Sequence, residues 1–272
     1  MHILMVLLCS RKTTKNGHIF HYCSLCFKSR DKFNMKEVKK EKFGSRKSIL
    51  KNLLLKSDIA FITNIWVVTC RSAINCDKNS RYLVCIESEK FDFNYDSIVK
   101  NINENISIIH TKFIEDKEQV FVTNIKTKES GLVSYTRFKN RIIELTKCKY
   151  IDSFALGSSE STPLSRFFRE NMGKGFALTD IDFYLTEKEL FIEEKTFVRN
   201  NKGYLGVGQC ISFQEIVNDI FPDVELKIIC ISKGKFYMAD FKDIDSKNTK
   251  VIKGWGEMVE FDVKPLNMDD FL

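Results

Sequence analysis

Long apolar segments are missing from the sequence, and this absence excludes a helical membrane anchor. A helix needs about 20 consecutive apolar residues to cross a bilayer, and the apolar run within residues 1–9, MHILMVLLC, is less than half as long. This run also lacks the basic leader and the small-residue cleavage site of a secretory signal. We therefore predict a buried first strand here and a protein with no membrane partner.

An export signal is absent although cysteine is plentiful. The chain has nine cysteines, which is an odd number and leaves at least one without a disulfide partner. Together these observations favour free thiols in a reducing compartment. We expect an intracellular protein, either cytoplasmic or associated with the nucleoid or nucleus.

A second CxxC pair is also absent, and this weakens the one motif that resembles a zinc site. Cys23 and Cys26 have the spacing that lets a turn present two thiolates to zinc, and His18 and His21 lie nearby. Structural zinc sites normally take their other ligands from a distant segment. Two interpretations stay open: a Zn²⁺ site at Cys23 and Cys26, or incidental cysteines beside surface histidines.

Internal repeats and low-complexity tracts are missing, and proline is rare, with three residues. We attribute the scarcity of proline to the base composition of the gene.

A length of 272 residues allows one large domain or two ordinary ones. Because residues 150–161 interrupt the pattern of apolar runs, we predict a mixed α/β domain of unassigned fold at 1–150 and a second domain at 151–272.

The positive charge is concentrated in one segment. Residues 28–56 contain eleven Lys or Arg and three acids, a net charge of +8, so the rest of the chain sums to −1 within the total of +7. A phosphate-bearing partner would be attracted to this segment, because neutralised phosphates release their counterions. The alternative is a solvated, lysine-rich helix face.

Apolar periodicity predicts the elements of the first 150 residues. Residues 132–145 form an amphipathic helix, with Phe138, Ile142 and Leu145 on one face. His110 stands alone and is expected to be structural. The other predicted elements are a helix at 35–56 and strands at 59–70, 82–86 and 119–125.

The stretch 179–197, TDIDFYLTEKELFIEEKTF, carries the chemistry that we expect of this chain. Its two apolar runs alternate with period two around a polar turn, which is typical of a β-hairpin. Side chains two residues apart share a face of a strand, so Asp180 lies with Asp182 and Glu193 lies with Lys195. Carboxylates gathered on one face are the ligands that Mg²⁺ prefers.

Two helices flank this hairpin. The first begins after a cap at Ser161 or Thr162 and ends near Glu170, before two glycines. A Gly-rich turn at 203–208 lacks the spacing of a phosphate-binding loop, and it leads to a helix at 209–220 that starts with Gln209. A strand at 224–232 and a hairpin around 233–235 follow.

The order and spacing of these residues resemble the PD-(D/E)xK nuclease superfamily, whose members include restriction endonucleases, RecB-type exonucleases and Holliday junction resolvases. The resemblance covers residues 167–216 and depends on Asp182 in TDIDF, Glu193 and Lys195 in IEEKTF, and Gln209 in GVGQCISFQEI. One position departs from the pattern, because Ile181 stands where the superfamily has proline. The implied fold is a restriction-endonuclease-like αβββαβ core, with a central mixed sheet flanked by helices.

The resemblance also implies a metal site and a mechanism. Asp182 and Glu193, together with the main-chain carbonyl of Glu194, would hold one or two Mg²⁺ or Mn²⁺ ions. Lys195 would orient or deprotonate the attacking water and stabilise the charge that develops on phosphorus. We prefer Asp182 to Asp180 as the ligand, because Asp182 lies within the apolar strand and precedes apolar residues.

Two further residues complete the implied site, and a function follows. Glu170 would contribute to a second metal site, and Gln209 would position the water or the phosphate. The expected activity is metal-dependent hydrolysis of phosphodiester bonds in DNA, with RNA left open, and cutting of both strands would favour a homodimer. The alternative is a non-catalytic nucleic-acid-binding protein with a degenerate nuclease core, in which the N-terminal Cys/His and basic region, with its possible zinc site, makes the contacts.

Overall fold

The computed structural model describes residues 10–13, 19–22, 48–71, 81–88, 94–147, 162–172, 175–196 and 198–271. The chain divides into two compact units, Met1–Ser45 and Arg46–Leu272. In the first unit, β1 (Ser10–Thr13) pairs antiparallel with β2 (Ile19–Tyr22). The predicted strand at 1–9, the Cys23 and Cys26 pair and residues 28–47 of the basic segment lie outside the described residues.

The second unit is built on a mixed sheet of ten strands. Its strands and those of a smaller sheet are β3 (Phe61–Cys70), β4 (Tyr82–Glu87), β5 (Ser107–Ile114), β6 (Gln119–Asn124), β7 (Ser130–Ser134), β8 (Phe176–Leu185), β9 (Leu190–Lys195), β10 (Lys202–Gly206), β11 (Glu225–Ser232), β12 (Lys235–Asp240), β13 (Thr249–Ile252), β14 (Gly256–Asp262) and β15 (Lys264–Leu266). The large sheet has the order β15-β12-β11-β9-β8-β3-β4-β5-β6-β7, and the small one has the order β10-β14-β13.

Six α-helices accompany these strands within the described residues. They are α1 (Ile49–Lys56), α2 (Asp96–Asn101), α3 (Tyr135–Leu145), α4 (Pro163–Asn171), α5 (Val207–Glu215), which continues as a π-turn at Ile216–Ile220, and α6 (Met268–Phe271). In the part of the chain that the structure describes, no helix has both the length and the apolarity to span a membrane.

Helices cover both faces of the large sheet and pack against it through apolar side chains. Alternation along β3 sends Val67 to one face and Val68 to the other. On the first face, α2 and α5 bury Ile98 and Phe213 against the strands. On the second face, α3 and α4 pack beside β3 to β6, and α1 packs over β8 and β9. The expectation of a mixed sheet flanked by helices is therefore confirmed.

The expected division near residue 150 is wrong, because one sheet uses strands from both sides of it. β3 and β8 are antiparallel neighbours from Phe61 opposite Leu185 to Cys70 opposite Phe176. In the large sheet β8 lies between β9 and β3, so one of its two edges is paired with a strand from the other side of the expected boundary. The part from Arg46 onward is one compact unit.

Several predicted elements are confirmed, and three differ. Among the described residues, the helix expected at 35–56 begins only at Ile49, because Ser48 caps it with a non-helical backbone. The strands expected at 59–70, 82–86 and 119–125 correspond to β3, β4 and β6. The helix expected at 132–145 begins only at Tyr135, because Ser134 caps it by accepting the Arg137 N–H and the preceding residues form β7. The Gly-rich segment 203–208, expected to be a turn that leads to a helix, is strand β10 followed by the first turn of α5.

The elements α4, β8, β9, β10, α5 and β11 follow the order of an αβββαβ core along the chain. β8 and β9 form the predicted hairpin, and β11 lies parallel to β9 after a connection through α5. The third strand of the series departs from this arrangement, because β10 pairs with β14 in the small sheet. The restriction-endonuclease-like fold therefore stays a prediction.

Candidate active site

The hairpin of β8 and β9 opens at the position of the predicted metal ligands. The ladder between these strands ends where Phe183 faces Ile192. Beyond this pair, the carboxylate of Asp182 accepts the main-chain N–H of Glu194 at 2.7 Å. A backbone donor that has left the ladder thus finds a side-chain acceptor, and this bond fixes Asp182 against β9.

Glu193 is the buried centre of the site. Its side chain is 2% exposed, and its Oε1 atom accepts hydrogen bonds from Lys195 Nζ at 2.5 Å and from Gln209 Nε2 at 2.8 Å. Its Oε2 atom is buried, and no hydrogen-bond partner is present for it among the described residues. A buried carboxylate oxygen without a donor is costly, so Glu193 has an unused ligand position.

Gln209 reaches this carboxylate from α5. The helix starts after Gly206, and Cys210 and Phe213 anchor it in the core on the face of the sheet that also holds Phe191. Gln209 lies in the first turn of the helix, so its amide points to β9 close to the place where β10 ends. The structure therefore brings Asp182, Glu193, Lys195 and Gln209 together, as the sequence predicts.

The acids of the site hold their protons more tightly than ordinary carboxylic acids. Burial raises the pKa of Asp182 to about 6, although the hydrogen bond from Glu194 opposes the shift. Burial also raises the pKa of Glu193 well above its usual range, and the charge of Asp182 adds to this effect. Burial alone would lower the pKa of Lys195, but the charge of Glu193 outweighs it and the pKa of Lys195 is raised.

Burial is the largest cause of the raised pKa values of the two acids, and the negative charge of their neighbours adds to it. The tighter binding of protons compensates in part for this buried negative charge. A cation bound next to Asp182 and Glu193 would supply the same compensation, and it would release the protons.

Asp180 lies at the rim of the site. Its side chain is exposed, whereas Asp182 is half-buried and hydrogen-bonded to β9. The charge of Asp180 contributes to the raised pKa values of Asp182 and Glu193, so it lies close enough to act on both. The preference for Asp182 as the inner carboxylate agrees with this geometry.

Glu194 points away from Lys195 and binds a residue that the sequence did not indicate. The hydroxyl of Ser48 donates to the Glu194 carboxylate and accepts the Lys51 N–H at 2.9 Å, so Ser48 caps α1 and ties it to β9. The cap itself is visible in the sequence as a serine before an apolar helix. Its partner, 146 residues away, is not.

Glu170 does not join this cluster. It is exposed on α4, which packs through Phe167 on the face of the sheet opposite to α5. Burial raises the pKa of the nearby Tyr135 hydroxyl, and the charges of Glu115, Glu118 and Glu170 raise it further. Among the described residues, no hydrogen bond or ion pair links Glu170 to the carboxylates of the site, so its expected role in a second metal site has no geometric support.

The donor set fits a hard divalent cation that keeps several waters. In the described ranges, no group of three or more His, Cys, Asp or Glu side chains is arranged around one metal position. Mg²⁺ is commonly bound by one or two carboxylates, with water and substrate oxygens in the other positions. Asp182 and the unused Oε2 of Glu193 match this requirement. The Glu194 carbonyl, the third expected ligand, belongs to the residue that follows Glu193 on β9.

Comparison of the chain with protein-family models, with curated proteins and with solved structures gave no match.

Proposed function

We propose that the chain is a metal-dependent nuclease that hydrolyses phosphodiester bonds, with DNA as the substrate. One observation supports this most strongly. Glu193 is buried, shares its Oε1 between Lys195 and Gln209, and keeps its Oε2 without a donor beside Asp182. A buried acid with an unused oxygen is unfavourable for a purely structural role, but it suits an acid that binds a cation and a substrate.

The chain's own residues would prepare the site for the reaction. The N–H of Glu194 fixes the orientation of Asp182, and the amide of Gln209 and the ammonium of Lys195 fix that of Glu193. Such fixed ligands cost no reorganisation when substrate binds. When bound, a Mg²⁺ or Mn²⁺ ion would polarise the scissile phosphate and lower the pKa of the attacking water.

Lys195 is suited to electrostatic stabilisation rather than to proton removal. Its raised pKa keeps the ammonium protonated at neutral pH, and a protonated amine is not a base. The ammonium lies on the same face of β9 as Glu193, next to the oxygen that it holds. We therefore assign it to the negative charge that develops on the phosphate oxygens.

The test is a cleavage panel with Mg²⁺ or Mn²⁺ on linear, branched and single-stranded DNA and on RNA. We expect Asp182→Asn, Glu193→Gln and Lys195→Ala each to lower the rate by a hundredfold or more, on the order of the loss of one electrostatic group. Glu187→Gln is the matched control, because this exposed carboxylate lies in the turn of the same hairpin.

The outcomes separate catalysis from binding alone. Metal-dependent cleavage that all three site variants retain, with folding intact by circular dichroism, would refute the assignment. Binding of DNA without cleavage in Mn²⁺ would favour the non-catalytic alternative. An absence of salt-dependent DNA binding would exclude both.

A further inference from the structure

The hairpin of β13 and β14 ends in an exposed tryptophan. Trp255 is 54% exposed and Val251, on β13, is 80% exposed. Gly254 and Gly256 flank Trp255 with φ angles of 87° and 86°, a backbone region that glycine adopts at little cost. The main-chain N–H of Trp255 donates to the carbonyl of Ile252 at 2.9 Å and closes the turn. The tip therefore has a defined backbone that presents a large ring to solvent.

This hairpin is built onto the same segment of chain that forms the candidate active site. β14 pairs with every residue of β10, from Lys202 opposite Asp262 to Gly206 opposite Met258. β10 follows β9 after a short connection, and its last residue is the N-cap of α5. The small sheet thus joins the strand of Lys195 to the helix of Gln209.

Positive charge accompanies the exposed ring. Residues 247–257 contain Lys247, Lys250, Lys253 and one acid, Glu257, a net charge of +2. Among the described residues, no ion pair involves Lys247 or Lys253, so their charges are available to an anionic partner.

A groove of about 400 Å³ lies on the same small sheet, beside the hairpin. Arg199, Lys202 and Lys250 line it, together with Tyr204 and Ile252. Its one acid is already partnered: Glu260 accepts from the Tyr204 hydroxyl at 2.8 Å and pairs with Lys250 at 3.1 Å. Lys202 pairs with Asp262, which is 81% exposed. The groove therefore keeps a surplus of positive charge.

We propose that this surface, the groove together with the tip at Trp255, binds a single-stranded nucleic acid and stacks one unpaired base on the indole ring. Cations along the groove match a phosphate backbone, and an aromatic face matches a base of any sequence. A paired duplex offers no base face along its length, because its bases are stacked on one another. A protein partner would not require the cations, and a membrane would not require the groove.

This inference rests on the proposed action on nucleic acid, and it names the form of the substrate. Base stacking is worth about 1–3 kcal/mol by alanine substitution, and 1.4 kcal/mol is a factor of ten in affinity. We therefore expect Trp255→Ala to weaken single-strand binding by about fivefold to a hundredfold. Trp255→Phe, which keeps a ring, should retain most of the affinity.

The experiment measures binding in EDTA, where metal-dependent cleavage does not occur. A labelled oligonucleotide of mixed sequence and its blunt duplex are titrated with the full chain, and the anisotropy gives each Kd. The duplex Kd should change less than about twofold in Trp255→Ala, because stacking on an unpaired base is the interaction lost. Leu132→Ala is the matched control, because Leu132 is 51% exposed on β7, at the far edge of the large sheet.

Fluorescence gives a second readout that a folding defect would not reproduce. Single strands should quench the emission of the wild type, and Trp255→Ala should lose this quenching because Trp66, on β3, is the one remaining tryptophan. Lys253→Ala should weaken the binding of both the single strand and the duplex. For the single strand, it should reduce the slope of log K against log salt concentration by about 0.7.

The inference would be overturned by equal Kd values of the wild type and Trp255→Ala for the single strand. It would also be overturned if Trp255→Ala lost the same affinity for the duplex as for the single strand. Binding to vesicles containing phosphatidylserine, with no effect of Trp255→Ala on oligonucleotides, would overturn it too. Trp255-dependent binding without any cleavage would overturn the nuclease proposal alone. Cleavage that depends on the site residues, with no contribution from Trp255, would leave the nuclease proposal standing and overturn this inference.

Discussion

Asp182→Asn should make the metal-free protein more stable at neutral pH, although it lowers the rate of cleavage. The pKa of Asp182 is about 6 in the folded protein against an ordinary value of 3.8. This difference of about two corresponds to about 3 kcal/mol. Asp182 is only half-buried, and solvent screening reduces the effect, so we expect a gain of about 1–3 kcal/mol.

The pH dependence of this gain has a fixed sign. Because the folded pKa lies above the unfolded one, the folded state binds more protons between pH 3.8 and about 6, and the wild type loses stability as the pH rises through this window. The full penalty is present above pH 6 and is absent below the unfolded pKa. An asparagine has no such penalty and still accepts the Glu194 N–H, so its advantage is complete at pH 7.5 and about half as large at pH 5.

Thermal unfolding in EDTA measures this difference. For a unit of this size, 1 kcal/mol shifts Tm by about 2–4 °C, so Asp182→Asn should raise Tm by about 2–12 °C at pH 7.5. The control is Asp116→Asn, an exposed aspartate with no hydrogen bond among the described residues, which should change the stability by less than about 0.5 kcal/mol. Mg²⁺ should raise Tm of the wild type at pH 7.5 but not that of Asp182→Asn.

Two results would refute the reasoning about Asp182. If the Tm of Asp182→Asn at pH 7.5 is equal to or below that of the wild type, the folded protein does not destabilise the charged form of Asp182. A rise of equal size at pH 5 and pH 7.5 would show that the gain does not come from its ionisation.

Three other substitutions test the support of the site. Gln209→Ala removes the amide donor to the central carboxylate and should lower single-turnover cleavage by about tenfold to a hundredfold; an unchanged rate would exclude a positioning role. Ser48→Ala removes the cap of α1 and the donor to Glu194, and it should cost about 1 kcal/mol in a denaturant titration, with Ser48→Thr restoring most of it. Gly203→Ala would place a Cβ 2.5 Å from the Phe261 ring, so we expect a loss of about 1–3 kcal/mol; full stability would mean that the ring moves aside freely.

The site could be predicted from the sequence because most of it is local. Asp182, Glu193 and Lys195 belong to one hairpin, and its two-residue period fixes which side chains share a face. Gln209 follows on the next helix. The prediction needed only the order of elements along the chain, and the observed hydrogen bonds agree with it.

The predictions that failed depend on contacts between distant parts of the chain. Periodicity shows that α4 has an apolar face, with Phe167 on it, but it does not show which side of the sheet this face covers. The sequence therefore predicts Glu170 beside the metal ligands, whereas α4 lies on the face of the sheet opposite to α5. The division near residue 150 failed for a related reason, because an apolar strand such as β8 does not reveal which other strand occupies its second edge.

During protein synthesis, β3 is made well before β8, the strand with which it pairs. Phe61 and its partner Leu185 are separated by 124 residues along the chain. At about 5–20 residues per second, the ribosome needs roughly 6–25 s to add them. For that interval the edge of β3 that later pairs with β8 is unpaired. An unpaired strand edge is prone to aggregation, so we expect a chaperone to bind it. The strand that finally closes the gap is β8, which carries Asp182, so the neighbour that β3 lacks and the first carboxylate of the site are synthesised together.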